Sequence, residues 1–142
     1  MQGADGGISF WSPVLLEQDS DPADDKRHRG GEDSADSTET ALVVADGVGG
    51  WALHGVNPGL FSASLTSHAV DLHEAYPMME PIDIVTMACD MAEKDYEGSA
   101  TIVALTLTGD FRIKAANLGD SGYALFHVLP HDRLQMYFRS QS

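Results

Sequence analysis

One stretch, from Thr40 to Trp51, constrains the fold of this chain more than any other. It reads Thr-Ala-Leu-Val-Val-Ala-Asp-Gly-Val-Gly-Gly-Trp. The residues from Thr40 to Ala45 are small, aliphatic or β-branched, which predicts a buried strand, and the glycines after Asp46 end it. A carboxylate at the end of a core strand is costly unless a metal ion, a cationic partner or hydrogen bonds compensate it. Because glycines let the backbone approach a ligand closely, the stretch predicts a metal and phosphate site at Asp46.

The charge balance limits the kinds of partner that the chain can bind. Its 142 residues suffice for one domain with a real core, and they include 22 acidic residues against 8 Lys plus Arg, a net charge of −14. Nucleic-acid backbones and anionic membrane surfaces both need cationic patches, so neither is an expected partner. The acidic excess is compatible with divalent cations, although for most of these residues it serves solubility.

The cysteine count and the hydropathy exclude further classes. Cys89 is the single cysteine, so the sequence predicts no internal disulfide and no cysteine-based zinc cluster, and its apolar neighbours indicate a buried thiol. No apolar run approaches the ~20 residues that span a bilayer, which argues against an integral membrane protein. A cationic region ahead of an apolar one is absent from the N-terminus, so we expect an intracellular protein without a transit peptide.

The chain divides into two segments of different character. The first segment, residues 1–30, is predicted to contain an N-terminal strand from Ile8 to Leu16 and most of a polar acidic loop. This predicted loop runs from Glu17 to Thr38 and so continues into the second segment. Arg27 and Arg29 belong to the only dense basic cluster in the sequence. Residues 31–142 carry the strand at Asp46 and every later element, and form the second segment.

Two helices follow the glycine-rich stretch. Asn57-Pro58 is a typical helix start, and apolar residues at helical spacing predict a helix from Pro58 to His73. His68 on that apolar stripe is interpreted as a packed or boundary histidine. Pro81 opens a second helix that ends near Tyr96, before Gly98. The residues expected on the inner faces are Leu60, Phe61, Leu65, Ala69 and Leu72 in the first helix and Ile84, Val85, Ala88, Met91 and Ala92 in the second.

After Gly98 the pattern changes to β-structure. Strands are predicted from Thr101 to Leu107 and from Phe111 to Asn117, joined by Thr108-Gly109-Asp110, a hairpin signal. Two more are predicted from Tyr123 to Val128 and from Leu134 to Phe138. The order of one strand, two helices and several hairpin-linked strands predicts an α+β fold with an antiparallel sheet. The sequence stops within this meander, which predicts an incomplete domain with an unpaired sheet edge.

Three aspartates recur beside glycine turns at strand ends: Asp33, Asp46 and Asp120. Mg²⁺ and Mn²⁺ prefer carboxylate, carbonyl and water oxygens, so carboxylates that converge on one end of a sheet would suit a two-metal site acting on phosphate. Aspartate also stabilises glycine turns by local hydrogen bonds, and for any one of the three this structural interpretation stays open.

A dinucleotide site is a competing interpretation. The residues from Gly47 to Ala52 formally fit the G-x-G-x-x-G/A fingerprint, and Asp71 lies at about the right distance beyond it. The fingerprint must open a helix directly, however, and several residues intervene before Pro58. Two helices also precede the next strand, where a nucleotide-binding unit alternates strand and helix. The sequence therefore disfavours dinucleotide binding.

Four motifs, in order, resemble one protein family. They are Gly31-Glu32-Asp33-Ser34, the stretch from Val44 to Trp51 with the segment from Gly55 to Ser62, Gly98-Ser99-Ala100-Thr101, and the stretch from Ala116 to Gly122. Together they are similar to the type 2C metal-dependent Ser/Thr protein phosphatases, and closest to the eukaryotic branch with Asp-Gly-Val-Gly-Gly-Trp, which includes mitochondrial members. The resemblance covers Gly31 to about Ser140, the N-terminal part of a catalytic domain.

The resemblance implies an antiparallel β-sandwich flanked by helix pairs, with two or more Mn²⁺ or Mg²⁺ ions at one end. A metal-bridging water would hydrolyse phosphoserine or phosphothreonine in protein substrates. Asp46 would bridge two metals, the Gly47 carbonyl would bind one of them, and Asp33 would act as a ligand or through bound water. Glu32 would support these ligands from outside, and Asp120 would sit at an accessory metal. The phosphate-binding arginine of many relatives would correspond to Arg27 or Arg29.

Two departures from the family pattern affect the functional prediction. Many members carry histidine, a candidate general acid, where this chain has Val48, so the leaving group must take its proton from water or another group. The later metal-binding aspartates of the family are also absent from the chain. The sequence therefore predicts a phosphoric monoester hydrolase of the type 2C class, and the alternative is a catalytically inactive fragment or pseudophosphatase that acts as a binding module. It leaves the oligomeric state open.

Overall fold

The computed structural model describes residues 32–141, which form an antiparallel α+β fold. The elements in chain order are β1 (Asp33–Ser37), β2 (Ala41–Gly47), a 3₁₀ helix (Gly49–His54), α1 (Pro58–Ala75), α2 (Pro81–Asp95), β3 (Ala100–Leu107), β4 (Ile113–Leu118), β5 (Ala124–Leu129), a short 3₁₀ turn (Pro130–Asp132) and β6 (Arg133–Arg139). Strands β1–β4 make one sheet in chain order, and β5 and β6 make a second, two-stranded sheet. The predicted α+β class and the antiparallel pairing are confirmed.

The two helices begin where the sequence signals place them. Asn57 caps α1 by accepting a hydrogen bond from the Gly59 amide at 2.9 Å, and a proline occupies the first turn of each helix. The structure extends α1 two residues beyond the predicted His73, to Ala75. Within residues 32–141, no helix has the length and apolar character needed to cross a membrane.

The core lies between the helix pair and one face of the four-stranded sheet. Residues alternate along β2, so that Val43 and Ala45 face the helices while Val44 and Asp46 face away. Ala45, Ala69, Ala88 and Ala92 have essentially no exposed surface, and these small side chains let helices and sheet approach closely. Leu60 was expected in this core but is about half exposed, because it lies on the outer side of α1.

Strand β1 corrects the prediction of a polar loop that continues to Thr38. Asp33–Ser37 contains no large apolar residue, and its propensity for a strand is low. It forms a strand because it pairs with β2 in register along its whole length, from Asp33 opposite Asp46 to Ser37 opposite Leu42. Its small residues also suit the contact with α1, where the Ser34 and Thr66 hydroxyls are 2.9 Å apart. Tertiary contacts here override local sequence preference.

The β5–β6 hairpin is far less buried than the four-stranded sheet. Every residue of β6 is exposed, and so are several large apolar residues in both strands: Phe126, Val128, Leu134, Met136, Tyr137 and Phe138. Side-chain contacts between the two strands, such as the 4.7 Å stacking of His127 on Tyr137, hold the hairpin together. The predicted N-terminal strand from Ile8 to Leu16 lies outside the described residues.

Candidate metal centre

Two of the predicted aspartates lie side by side on neighbouring strands. Asp33 and Asp46 are Cα partners in the β1–β2 ladder, and both side chains are exposed. The Gly47 amide donates to the Glu32 carbonyl at 3.0 Å, so the adjacent Asp33–Asp46 pair is a non-hydrogen-bonded one. Such pairs have Cβ atoms about 5 Å apart, and like charges in this arrangement destabilise a sheet. A bound divalent cation would remove that repulsion.

The position of Asp46 differs from the sequence prediction in one respect. The strand was expected to end before Asp46, with the carboxylate at the edge of the core. In the structure β2 continues through Gly47, and the alternation of side chains directs Asp46 to the exposed face of the sheet. Its charge therefore does not have to be buried, and its carboxylate is accessible to a solvated ion.

Gly47 is fixed by close packing on all sides. A Cβ atom there would lie 2.6 Å from the Glu32 carbonyl oxygen, 2.7 Å from the Ser62 hydroxyl and 3.0 Å from the Pro58 carbonyl oxygen. No side chain fits between β1 and the start of α1 at this point, so only glycine is accommodated after Asp46 without a shift of the backbone. The following Val48 amide donates to the Ser99 carbonyl at 3.0 Å, which ties this backbone to the segment that enters β3.

Glu32 lies beneath the glycine-rich turn. It is 4% exposed, and its carboxylate would be 2.9 Å from a Cβ on Gly49. Gly49 therefore provides the room for this carboxylate at the start of the 3₁₀ helix. Glu32 thus lies next to the exposed aspartate pair, and its supporting role stays a prediction.

A 3₁₀ helix, Gly49–His54, occupies most of the segment between β2 and α1. Trp51 Nε1 donates to the Ser99 hydroxyl at 2.9 Å, which anchors the helix to the chain ahead of β3. Gly55 ends it with a φ of 74°. Since β2 and β3 are antiparallel neighbours and α1 starts only at Pro58, no strand–helix–strand nucleotide unit is present in this part of the chain. The dinucleotide alternative is therefore excluded here.

Asp120 lies at the same end of the sheet but farther away. It follows β4, in a turn held by the Thr101 and Ser121 hydroxyls, 2.6 Å apart, and by Asn117 Nδ2 donating to the Ser121 carbonyl at 2.6 Å. Gly119 has a φ of 109° and packs against Thr101, with room for no Cβ. Thr101 pairs with Asp46, so Asp120 is about two strand spacings, roughly 10 Å, from Asp46.

The described part of the chain thus brings two carboxylates together and keeps a third at a distance. Among residues 32–141, no group of three or more His, Cys, Asp or Glu side chains forms a cluster that could hold a metal ion. Arg27 and Arg29 lie outside the described residues, and their predicted role in phosphate binding stays a prediction. Three polar residues hold the two turns in place through their hydrogen bonds: Ser99, Thr101 and Asn117. All three lie within the sequence motifs described above, but the spacing of the motifs does not predict which turn each residue contacts.

Comparisons with known proteins agree on one family. Over 106 residues the chain is 39% identical to probable protein phosphatase 2C 55 of Arabidopsis thaliana, covering 72% of this chain and 22% of that protein. Over 125 residues it is 38% identical to the protein phosphatase PTC7 homolog of Homo sapiens, covering 80% of this chain and 38% of that protein. No family model matches the chain.

A solved structure has the same fold. The X-ray structure of the photosystem II phosphatase PBCP superposes with a TM-score of 0.58 at 29% identity, over 81% of this chain and 44% of that one. Together with the two aligned relatives, it shows that the chain belongs to the type 2C protein phosphatase family. The chain spans about a fifth to two fifths of the length of the relatives described above.

Proposed function

We propose that the protein containing this chain is a metal-dependent protein serine/threonine phosphatase and that Asp33, Asp46 and Gly47 form part of its metal site. The observation that carries the proposal is the exposed Asp33–Asp46 pair on neighbouring strands, beside a backbone path fixed at Gly47. The names of the aligned relatives support phosphatase chemistry.

The donor atoms suit a hard divalent cation. Two carboxylates and the backbone carbonyl of Gly47 would offer oxygen ligands, which Mg²⁺ and Mn²⁺ prefer, and both ions retain water when protein ligands are few. Asp46 would hold the ion from the sheet face and Asp33 from the neighbouring strand. Asp120, roughly 10 Å from Asp46 across β3, would serve an accessory ion at the edge of the site.

A bound divalent ion would lower the pKa of a water ligand and offset the negative charge of the phosphoryl group. The chain's own part is to fix the carboxylates through the β1–β2 ladder and to keep their surroundings open to a phosphorylated side chain. Val48 is 44% exposed beside this site and has no proton to donate. The departing serine or threonine oxygen would therefore take its proton from water or from another group.

Phosphorylated proteins are the proposed substrates. The net charge of −14 disfavours free polyanions as partners, since they would be repelled over most of the surface. A phosphoryl group needs a local cation instead, which the metal site would provide. Arg27 or Arg29 could add a bidentate contact to the phosphoryl oxygens.

The proposal is tested by Asp46→Asn in the full-length protein, with Asp71→Asn, an exposed aspartate on α1, as the matched control. Removing a metal ligand should lower Mn²⁺-dependent hydrolysis of a phosphoserine peptide about 100-fold or more, since even partners that only orient a ligand cost 10–100-fold. A chelator should abolish the activity of the unsubstituted protein, and Asp71→Asn should keep it.

Unchanged activity in Asp46→Asn would refute the metal assignment. Phosphopeptide binding without turnover in the unsubstituted protein would favour the alternative of a pseudophosphatase that acts as a binding module. Circular dichroism of each variant separates loss of chemistry from loss of fold.

A further inference from the structure

A groove follows the end of β2, directly after the aspartate of the candidate metal centre. Its volume is about 300 Å³, and it is open to solvent. The residues that line it, among those that the structure describes, are Val48, Gly50, Trp51 and His54. The proposed metal chemistry uses none of their side chains.

The pleat of β2 places one wall of this groove beside Asp46. Exposure alternates at the end of the strand, where Asp46 and Val48 are exposed and Gly47 between them is buried. The backbone of Val48 is extended, with a φ of −78° and a ψ of 108°. Side chains two residues apart on extended backbone face the same way, and their Cα atoms are about 7 Å apart. Val48 therefore stands next to Asp46 on the face of the sheet that is turned away from the helices.

A hydrogen bond holds the indole of Trp51 on the same face. Trp51 Nε1 donates to the Ser99 hydroxyl at 2.9 Å. Ala100 packs against the core, so the alternation directs Ser99 and Thr101 to the opposite face of the sheet. Thr101 is the ladder partner of Asp46, which puts the indole and the aspartate on one side.

The lining of the groove is mostly apolar and has no Asp, Glu, Lys or Arg among the described residues. Val48 is 44% exposed, and His54 stands edge-on to the Trp51 ring, with the ring centroids 6.4 Å apart. An aliphatic side chain placed here would remove its own surface and that of the indole and valine from water. Arginine could stack on the indole instead, but the lining supplies no carboxylate to pair with it.

The size and the distance of the groove suit a residue that flanks a phosphorylated one. The volume equals that of about ten waters at about 30 Å³ each, which is enough for a large aliphatic side chain. An extended peptide advances about 3.3–3.6 Å per residue. If its phosphoryl group lies at the aspartate pair, a side chain two or three positions away reaches Val48 and Trp51.

We propose that this groove binds a large aliphatic side chain two or three positions from the phosphorylated residue of a protein substrate. The inference rests on the proposed phosphatase function and adds a sequence preference to it. Val48 and Trp51 would then determine specificity without contact with the reacting atoms.

The test compares phosphoserine peptides that differ at one position, with the full-length protein. Leucine, alanine or arginine is placed two or three residues before or after the phosphoserine in an otherwise constant sequence. At one of these positions leucine should raise kcat/KM about 3–10-fold over alanine, because an open groove buries about half of the side chain. Arginine should give no more than leucine. Peptide titrations followed through the Val48 methyl resonances should show the same order of affinity.

A substitution that fills the groove supplies the decisive comparison. A Cβ added at Gly50 meets no atom within 4 Å, so Gly50→Leu extends a side chain into open space without displacing its neighbours. The ratio of leucine to alanine should then fall to about one. Gly109→Leu is the matched control, since a Cβ there also meets no atom within 4 Å and Gly109 lies in the β3–β4 turn, at the other end of the sheet. It should keep the preference.

The outcomes separate this proposal from the phosphatase proposal. Turnover of p-nitrophenyl phosphate, which has no flanking residue, together with equal kcat/KM for leucine and alanine at all four positions, would overturn the groove proposal alone. A leucine preference that survives in Gly50→Leu, or an arginine preference that Gly50→Leu removes, would overturn it as well. Absence of metal-dependent turnover with every substrate would refute the phosphatase proposal. The titrations then decide the remaining question, and equal affinity for leucine and alanine peptides would overturn the groove proposal too.

Discussion

The two ends of the four-stranded sheet hold polar groups in opposite surroundings. At one end, Asp33 and Asp46 are charged, adjacent and exposed, next to a backbone packed too tightly for any side chain at Gly47. At the other end, His73 is buried, and its Nε2 lies 2.7 Å from the Thr40 hydroxyl. The same strands therefore carry charged side chains where solvent reaches them and an uncharged imidazole where it does not.

The largest effect that tests this comparison is steric. Gly47→Ala should destabilise the fold by about 1–3 kcal/mol, the usual cost of overpacking, because the added Cβ would meet backbone oxygen at 2.6 Å. Urea denaturation measures the change. Gly50→Ala, three residues along the same turn, is the control: its Cβ would meet no atom within 4 Å, so the change should stay within about 0.5 kcal/mol. Equal effects of the two substitutions would show that the turn is not tightly packed.

A smaller expected effect is the change of folding stability with pH that the buried His73 causes. The pKa of His73 is lowered in the folded chain from the ordinary value of 6.5, so below about pH 6.5 the unfolded chain binds more protons than the folded one. Stability supplied by the neutral ring is fully present above pH 6.5 and is lost as pH falls toward the folded-state pKa. His73→Phe should remove this part of the slope between about pH 7 and 5, as measured by denaturation at each pH.

The control for the pH experiment is His68→Phe, which leaves the contribution of His73 in place. Parallel stability curves for the unsubstituted chain and His73→Phe would contradict a neutral, buried imidazole.

The elements that the sequence predicted well are those with strong local signals. Asn57-Pro58 marked the start of α1, and Thr108-Gly109-Asp110 marked the β3–β4 turn, where the Thr108 amide donates to the Arg112 carbonyl at 2.9 Å. Caps and turns depend on residues close in sequence, so a sequence pattern can identify them.

The parts that sequence reasoning missed depend on contacts between distant residues. Strand β1 exists because β2 pairs with it and α1 packs against it. His73 was placed at the end of a helix, and only the fold shows that Thr40, 33 positions earlier, lies against its ring. At the candidate site, residue type predicted a strand that leads to Asp46, but the exposure of its carboxylate and its pairing with Asp33 follow from the register of the sheet.

Paramagnetic broadening by Mn²⁺ in the ¹H–¹⁵N spectrum of the chain would show whether Asp33 and Asp46 hold a metal ion. We expect substoichiometric Mn²⁺ to broaden the amide signals of Asp33, Asp46 and Gly47 first and that of Asp120 less. Asp46→Asn should abolish this pattern, while Asp71→Asn should preserve it. Broadening centred elsewhere in the chain, or identical broadening with and without Asp46, would contradict a metal site on the Asp33–Asp46 pair.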